Sequence, residues 1–375
     1  MFTRTNPFII AELGTSHNGD IVKAKELIDA AAESGADCIK VQIIYADEIL
    51  HPNTGIVPLP NGNTRLYDVF KKLELPFDFY REIKEYTENK NTSLSAASDR
   101  NLQFLATAFG QKSLSELKTL NPKIVKVASP ELNYVQLLNS LAMWNVDVLL
   151  STGVSKLSDI ETALSYFECR SAAGLAAKNV YLLHCITAYP APEEQYNLNV
   201  MRNLTNIFGV PCGVSDHSLD PVLVPLLSLA CGGCVIEKHF CLSRTDDGID
   251  DKVALDPKDF SKMVSAVRDV QHKTENEILI IAQGEYSKKK VAAVLGTGIK
   301  NLASAEAENY TRTNRSVHAL IEIKTGSLIT KENSAILRTE KVLRPGMPPI
   351  FYDKILGKSA RSDIPAGEGI RFCDV

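Results

Sequence analysis

Eight short apolar runs alternate with longer amphipathic stretches along the first three quarters of the chain, and this alternation constrains the fold more than any other feature. The runs lie at residues 8–13 (FIIAEL), 38–44 (CIKVQII), 104–109 (FLATAF), 124–132 (IVKVASPEL), 148–153 (VLLSTG), 180–185 (VYLLHC), 212–217 (CGVSDH) and 234–240 (CVIEKHF). Each has the length and apolar character of a buried strand. Helical sequence follows each run. After the first, Asp20 reads as an N-cap for a helix carrying Ile21, Ala24, Leu27, Ile28 and Ala31, which Gly35 ends. Further helices are predicted around 77–89, 113–120, 135–143, 158–167, 199–208, 218–230 and 257–277. Helical crossovers join parallel strands, so the expected class is α/β. Eight such units over about 280 residues match a closed (β/α)8 TIM barrel, with an open doubly wound sheet as the alternative.

The polar residues favour the barrel by their position. Glu12, Lys40, Glu131, Ser151, Thr152, His184, Ser215, His217, Glu237 and His239 all fall near the carboxyl end of an expected strand. Barrel enzymes build their sites there. Any one of them could be a satisfied structural group, but charges such as Lys40, Lys126 and Glu237 inside apolar strands are costly unless paired or ligand-bound. A shared polar site explains the whole set. His217 and His239 end neighbouring strands, with Ser215, Asp216 and Glu237 within two residues, and suit a divalent cation open to an oxygen-rich ligand.

Other classes fit poorly. A net charge of −4 and a pI near 6.0 leave no electrostatic footprint for nucleic acid, and the basic run at 288–290 reads as a solvated helix face. No apolar run approaches the roughly 20 residues of a membrane span, and the amino terminus lacks a signal-peptide pattern. A cytoplasmic protein is expected. The eight cysteines are scattered in apolar surroundings, as reduced thiols are. Cys231 and Cys234 form a C-x-x-C, but no second ligand pair accompanies it, and an odd spacing puts Cys234 and His239 on opposite faces of a strand. The cysteines read as packing. Domain boundaries are expected at 1–284 for the barrel, 285–311 for a linker and 312–375 for a small β-rich domain broken by KTG and PAG turns.

Seven ordered blocks, IAELGTSHNG, IKVQ, VKVASPEL, LLSTGVSKLSDIETAL, LLHCITAYPAP, GVSDHSL and VIEKHF, resemble the sialic acid synthase family. NRSVHALIEIKTGSLITKENSAILR and LGKSARSDIPAGEGI resemble its carboxyl-terminal antifreeze-like (SAF) domain. The resemblance implies condensation of phosphoenolpyruvate with an N-acylated hexosamine in a domain-swapped homodimer. It implies that Lys40 and Lys126 bind the phosphate and carboxylate, with Ser129, Ser151 and Ser215 as neutral donors. His217 and His239 would hold manganese or magnesium. Glu12 and Glu131 are candidates for orienting or deprotonating a water, with Glu237 as an alternative. Asn63, Thr187, Tyr189 and Asp250 match positions of sugar contacts, and Arg315 matches an arginine that reaches the acyl group from the partner subunit. Pro130 stands where the family commonly has glycine, Thr187 where N-acetylneuraminate synthases have asparagine, and FLATAF where FLSTPF is usual. These departures leave open N-acetylmannosamine, a di-N-acetylated sugar or another hexosamine as acceptor, while His184 departs from the lysine common in the pseudaminic branch. A Schiff-base pyruvate aldolase and a non-catalytic carbohydrate-binding protein are the alternatives.

Overall fold

The computed structural model describes residues 2–59, 62–94, 101–172 and 179–375. All eight expected strands form: β1 (Phe8–Gly14), β2 (Cys38–Ile43), β3 (Gln103–Ala108), β4 (Ile124–Val127), β5 (Asp147–Ser151), β6 (Asn179–Cys185), β7 (Cys212–Asp216) and β8 (Val235–His239). Each pairs in parallel with its neighbours in chain order, and β8 pairs with β1, so the sheet closes into a barrel. The open-sheet alternative is thereby excluded.

Strand alternation sorts the side chains into two environments. Outward residues such as Ile9, Ala11, Ile39, Val41, Val125 and Ile236 join a continuous core beneath the helices. Inward residues form a plug at the amino-terminal end from Phe8, Ile10, Cys38, Leu105, Ile124, Leu149, Tyr181, Leu183, Cys234 and Val235. Phe2 stacks on Phe8 and closes that end. Two residues further along each strand, the inward positions turn polar: Ile10 gives way to Glu12, Cys38 to Lys40, Leu105 to Thr107, Ile124 to Lys126, Leu149 to Ser151 and Val235 to Glu237. The lower layers stabilise by burial, at about 1.5–3 kcal/mol per large side chain. The upper layers are left for chemistry.

The first helix, α1 (Ile21–Glu33), buries the predicted stripe of Ala24, Leu27, Ile28 and Ala31, and Asp20 caps it by accepting from Val22 N at 2.7 Å. The expected 257–277 helix is two helices, Pro257–Val270 and Glu275–Tyr286. Thr274 starts the second with a capping box to Glu277, which outweighs propensity across the break. In the stretch after β2, Ile56–Leu59 and Gly62–Arg65 pair as an antiparallel hairpin. The helix expected to end near residue 89 runs to Leu94, and residues 95–100 lie outside the described residues. The expected linker starts late, since Lys288–Leu295 is helical and packs on the barrel through Val291 and Val294.

In the carboxyl-terminal domain, β9 (Arg315–Ala319) pairs antiparallel with β10 (Ser334–Arg338). Its buried Val317, Ile323, Ile329, Ile364 and Ile370 are continuous with the barrel's outer core, so the domain packs on the barrel of its own chain. No helix among the described residues is long and apolar enough to cross a membrane. The described cysteines are free, and Cys231 and Cys234 are buried, with Cys234 Sγ donating to Cys212 O at 3.2 Å.

Candidate active site

One cavity of about 390 Å³ opens at the carboxyl-terminal end of the barrel. The barrel's inward polar layer forms its floor. Helix Leu66–Lys72 supplies an apolar wall of Leu66 and Phe70, and Arg338, Glu340 and Lys341 of the carboxyl-terminal domain close the mouth. Twelve of the residues singled out from the sequence line this space: Glu12, Lys40, Lys126, Ser129, Ser151, Thr187, Tyr189, Ser215, His217, Glu237, His239 and Asp250.

Two ammonium groups and two carboxylates fill the floor. Lys40 Nζ lies 2.7 Å from Glu12 Oε2 and 3.4 Å from Glu237 Oε1, and Lys126 Nζ lies 3.8 Å from that same Oε1. Ser215 donates to Glu237 Oε1 at 3.0 Å, so its hydroxyl proton is already committed there rather than to a ligand. All four charged groups are buried, and burial disfavours charge on each. Burial pushes the Glu237 carboxyl up, but Lys126 and Lys40 outweigh it and hold it down at about 2. For Glu12 burial wins over Lys40, and its carboxyl is raised. Burial also lowers the Lys126 ammonium against the pull of Glu237.

Several buried polar atoms of the lining have no hydrogen-bond partner within the protein: Glu237 Oε2, Ser151 Oγ, Thr107 Oγ1 and Thr187 Oγ1. Unpaired polar atoms in such a setting are costly, and a polar ligand would satisfy them.

The histidines meet above the floor. Their ring centroids are 5.5 Å apart, and Tyr189 stacks on His217 at 4.2 Å. His217 Nδ1 lies 2.8 Å from Ile186 O, the geometry of a donor to a carbonyl, which leaves Nε2 as the acceptor nitrogen. Burial lowers both imidazoles and favours the neutral form that ligates cations. Asp250 Oδ2 is 3.9 Å from His239 Nδ1, and burial next to Glu12 raises its carboxyl to about 6. No trio of His, Cys, Asp or Glu among the described residues is arranged to hold a metal ion. The two imidazoles are thus the residues that would hold a cation here, with its other positions left to water and substrate oxygens.

Five expected site residues stand elsewhere, among them Thr152, whose hydroxyl donates to Leu183 O, and His184, whose Nε2 pairs with Tyr196 O outside this space. Asn63 is exposed on the hairpin, opposite Pro58. Glu131 follows β4 in a short 3-10 turn and points away from the cavity into the domain interface, where Oε1 accepts from Arg315 Nε at 3.0 Å and Arg338 Nη2 at 2.7 Å. Arg315 is 1% exposed and also donates to the carbonyls of Glu48 and Phe109. Within this chain the two residues form an interdomain ion pair, and neither lines the cavity. Arg338 is the arginine that lines the cavity, over the Phe109 ring. Thr107 and Gln42 also line it unanticipated, although each sits at an inward position two residues beyond one already polar or apolar by pattern. No sequence period marks Arg338.

Comparison with known proteins follows the same lines. The model of the NeuB family matches residues 27–278, and that of the SAF domain matches residues 314–375. The chain is 32% identical over 97% of its length to N,N′-diacetyllegionaminic acid synthase of Campylobacter jejuni, 98% of which is covered. Among solved structures it is similar to spore coat polysaccharide biosynthesis protein SpsE of Bacillus subtilis, with a TM-score of 0.78, 29% identity and coverage of 100% of this chain and 96% of that one. It is also similar to N-acetylneuraminic acid synthetase of Leptospira borgpetersenii, with a TM-score of 0.62, 30% identity and coverage of 76% and 94%. With a family model spanning most of the barrel and a SAF domain closing its mouth, the chain belongs to the NeuB family.

Proposed function

We propose that this chain is an enzyme that condenses phosphoenolpyruvate with an N-acylated hexosamine, giving a nonulosonic acid and phosphate. The observation that carries the reading is the convergence, in one cavity, of two buried ammonium groups, unpartnered hydroxyls and a pair of neutral imidazoles. The relative at 32% identity is an acid synthase of this kind by name.

Lys40 and Lys126 bind the phosphate and carboxylate as point charges, and Ser151, Thr107 and Ser129 complete the anion's hydrogen bonds. His217 and His239 would hold a manganese or magnesium ion, which polarises an aldehyde oxygen when bound. The sugar lies between that pair and the mouth, beside Tyr189, Thr187 and Asp250, with its acyl group toward Arg338 and the wall of Leu66 and Phe70. The enol carbon bonds to the aldehyde carbon, whose oxygen takes a proton. Water adds to the former enol carbon bearing the phosphate, and the bond from that carbon to the bridging oxygen breaks to release phosphate. Glu12 is the group to orient that water and hold its proton: Gln42 fixes Oε1 at 2.7 Å, and β1 register sets it between Lys40 and His239.

The test is phosphate release from phosphoenolpyruvate across a panel of N-acyl hexosamines, with and without EDTA and added manganese. Metal-dependent release with at least one member is expected; none with any member overturns the reading. One observation favours a second chemistry, since an amine lowered by burial, as at Lys126, suits Schiff-base formation. Borohydride trapping with pyruvate in the presence of EDTA separates the two.

A further inference from the structure

The segment between the two domains reaches into the cavity wall. Glu306 is 1% exposed, and its Oε2 accepts from two backbone amides, Val154 N at 2.9 Å and Thr187 N at 2.7 Å. These amides belong to the loops after β5 and after β6. Asn309, three residues on, donates to Thr187 O at 3.5 Å, so the peptide groups on both sides of Thr187 are held by the interdomain segment. Lys300 Nζ donates to Thr152 O at 3.0 Å and sets a positive charge near the buried carboxylate.

The two loops so joined carry cavity residues. Val154 has a φ of +41°, a left-handed conformation that a β-branched residue adopts only when its surroundings enforce it. Next to it, Gly153 N donates to Ser129 Oγ at 3.0 Å. A Cβ on Gly153 would lie 2.3 Å from Thr187 Oγ1 and 2.9 Å from Ser129 Oγ, so the two hydroxyls close on one bare backbone position. Thr187 Oγ1 has no partner of its own and lines the cavity. The chain of contact runs from Glu306 through two amides to Gly153, and from there to Ser129 and Thr187.

We propose that Glu306 is a positioning residue for the catalytic cavity: its carboxylate ties the loops after β5 and β6 together and so sets the spacing of the Ser129 and Thr187 hydroxyls that receive substrate. This rests on the reaction proposed above. It also assigns the interdomain segment a part in the chemistry beyond connecting two domains, because loss of the acceptor oxygen at 306 would free both amides and release Val154 from its strained conformation. A buried carboxylate between two amide donors makes charge-assisted bonds, which are stronger than neutral ones.

The test compares the full-length protein with Glu306→Gln, Glu306→Ala, Thr187→Ala and the Glu306→Ala/Thr187→Ala double variant. Gln keeps one carbonyl oxygen able to accept both amides and is expected to retain kcat/KM within about tenfold. Ala is expected to lose about 100-fold, the scale of an ångström-level misplacement in an active site. The loss should appear in kcat/KM of protein that is folded by circular dichroism at the assay temperature. In the double variant the two losses should not multiply, because Glu306 acts through Thr187. If Ala lowers only the melting temperature and the folded enzyme turns over normally, or if the two losses multiply in full, the positioning role is wrong. Phosphate release by the unaltered chain is measured alongside: its absence would count against the reaction, whereas a normal parent with an unaffected Glu306→Ala would count against Glu306 alone.

Discussion

Replacing Arg315 with Met distinguishes an interdomain clamp from a substrate contact. The guanidinium is buried and shares Glu131 Oε1 with Arg338, donates to Glu48 O and to Phe109 O at 2.6 Å, and lies 5.3 Å from the centre of the Tyr134 ring. Breaking a buried ion pair by removing one partner costs about 3–5 kcal/mol. Arg338 remains on Glu131 at 2.7 Å, so the lower figure of about 3 kcal/mol applies. The two carbonyls left without a donor add about 1 kcal/mol each at the low end of the range for a buried unsatisfied group. The sum of about 5 kcal/mol falls on the docking of the carboxyl-terminal domain, because Glu48, Phe109 and Glu131 all belong to the barrel side of the contact. The expected result is a low-temperature transition split from barrel unfolding in calorimetry, and faster proteolytic cleavage in the segment 296–311. A variant that melts like the parent and shows only a higher KM for the acceptor sugar would refute this reasoning and restore Arg315 as an acyl contact.

Lys126→Met removes a buried ammonium that donates to Val127 O at 3.1 Å and lies 3.8 Å from Glu237 Oε1. In protein that is still folded at the assay temperature, kcat/KM for phosphoenolpyruvate should fall about 100-fold; an unchanged kcat/KM would contradict the anion-binding role. His318 is buried in the carboxyl-terminal domain between Gly367 O, Ser316 and Thr339, and burial lowers its imidazole to about 4 from 6.5. The unfolded chain therefore binds more protons between these values, so stability is full above pH 6.5 and is lost as pH falls toward 4. Between pH 7.5 and 5 this group should account for about 2 kcal/mol, read as the difference in urea midpoints between the parent and His318→Gln; an equal fall in both would remove His318 as the cause. Asn63→Ala should change kcat/KM less than about twofold, since the side chain is exposed on the hairpin away from the cavity, and a larger effect would bring that hairpin into the site.

The barrel was legible because its two signals are local and repeated. Each strand announced itself by composition, and each following helix by its apolar stripe, so the eight units did not depend on any long-range contact being guessed. The floor of the site was legible for a related reason. Strand period places Glu12, Lys126 and Glu237 on the inward face whatever the helices do, and closure of the barrel then brings them together. The break at residues 271–274 was less visible, because a capping box inside an amphipathic stretch looks like ordinary polar helix surface until the chain turns.

Glu131 and Arg315 show where this kind of legibility ends. Both were placed at the right end of the barrel, but Glu131 lies past the last residue of β4, in a turn where the inward and outward alternation no longer holds. Its direction is decided by two arginines 184 and 207 positions away, at 315 and 338, which no local pattern connects to it. One carboxylate oxygen, Oε1, is already occupied by two guanidinium groups inside the domain interface. The place just past a strand that made Glu131 a candidate for orienting or deprotonating a water is also where the carboxyl-terminal domain reaches the barrel, and burial there requires the ion pair it makes. Glu306 is the converse case: it stands in a polar segment with nothing to recommend it, yet it makes two charge-assisted bonds to the loops that carry the cavity's hydroxyls. Residues whose function is to hold backbone leave no chemical signature in sequence, since the groups they bind are common to every residue. Only the fold shows which amides converge on them.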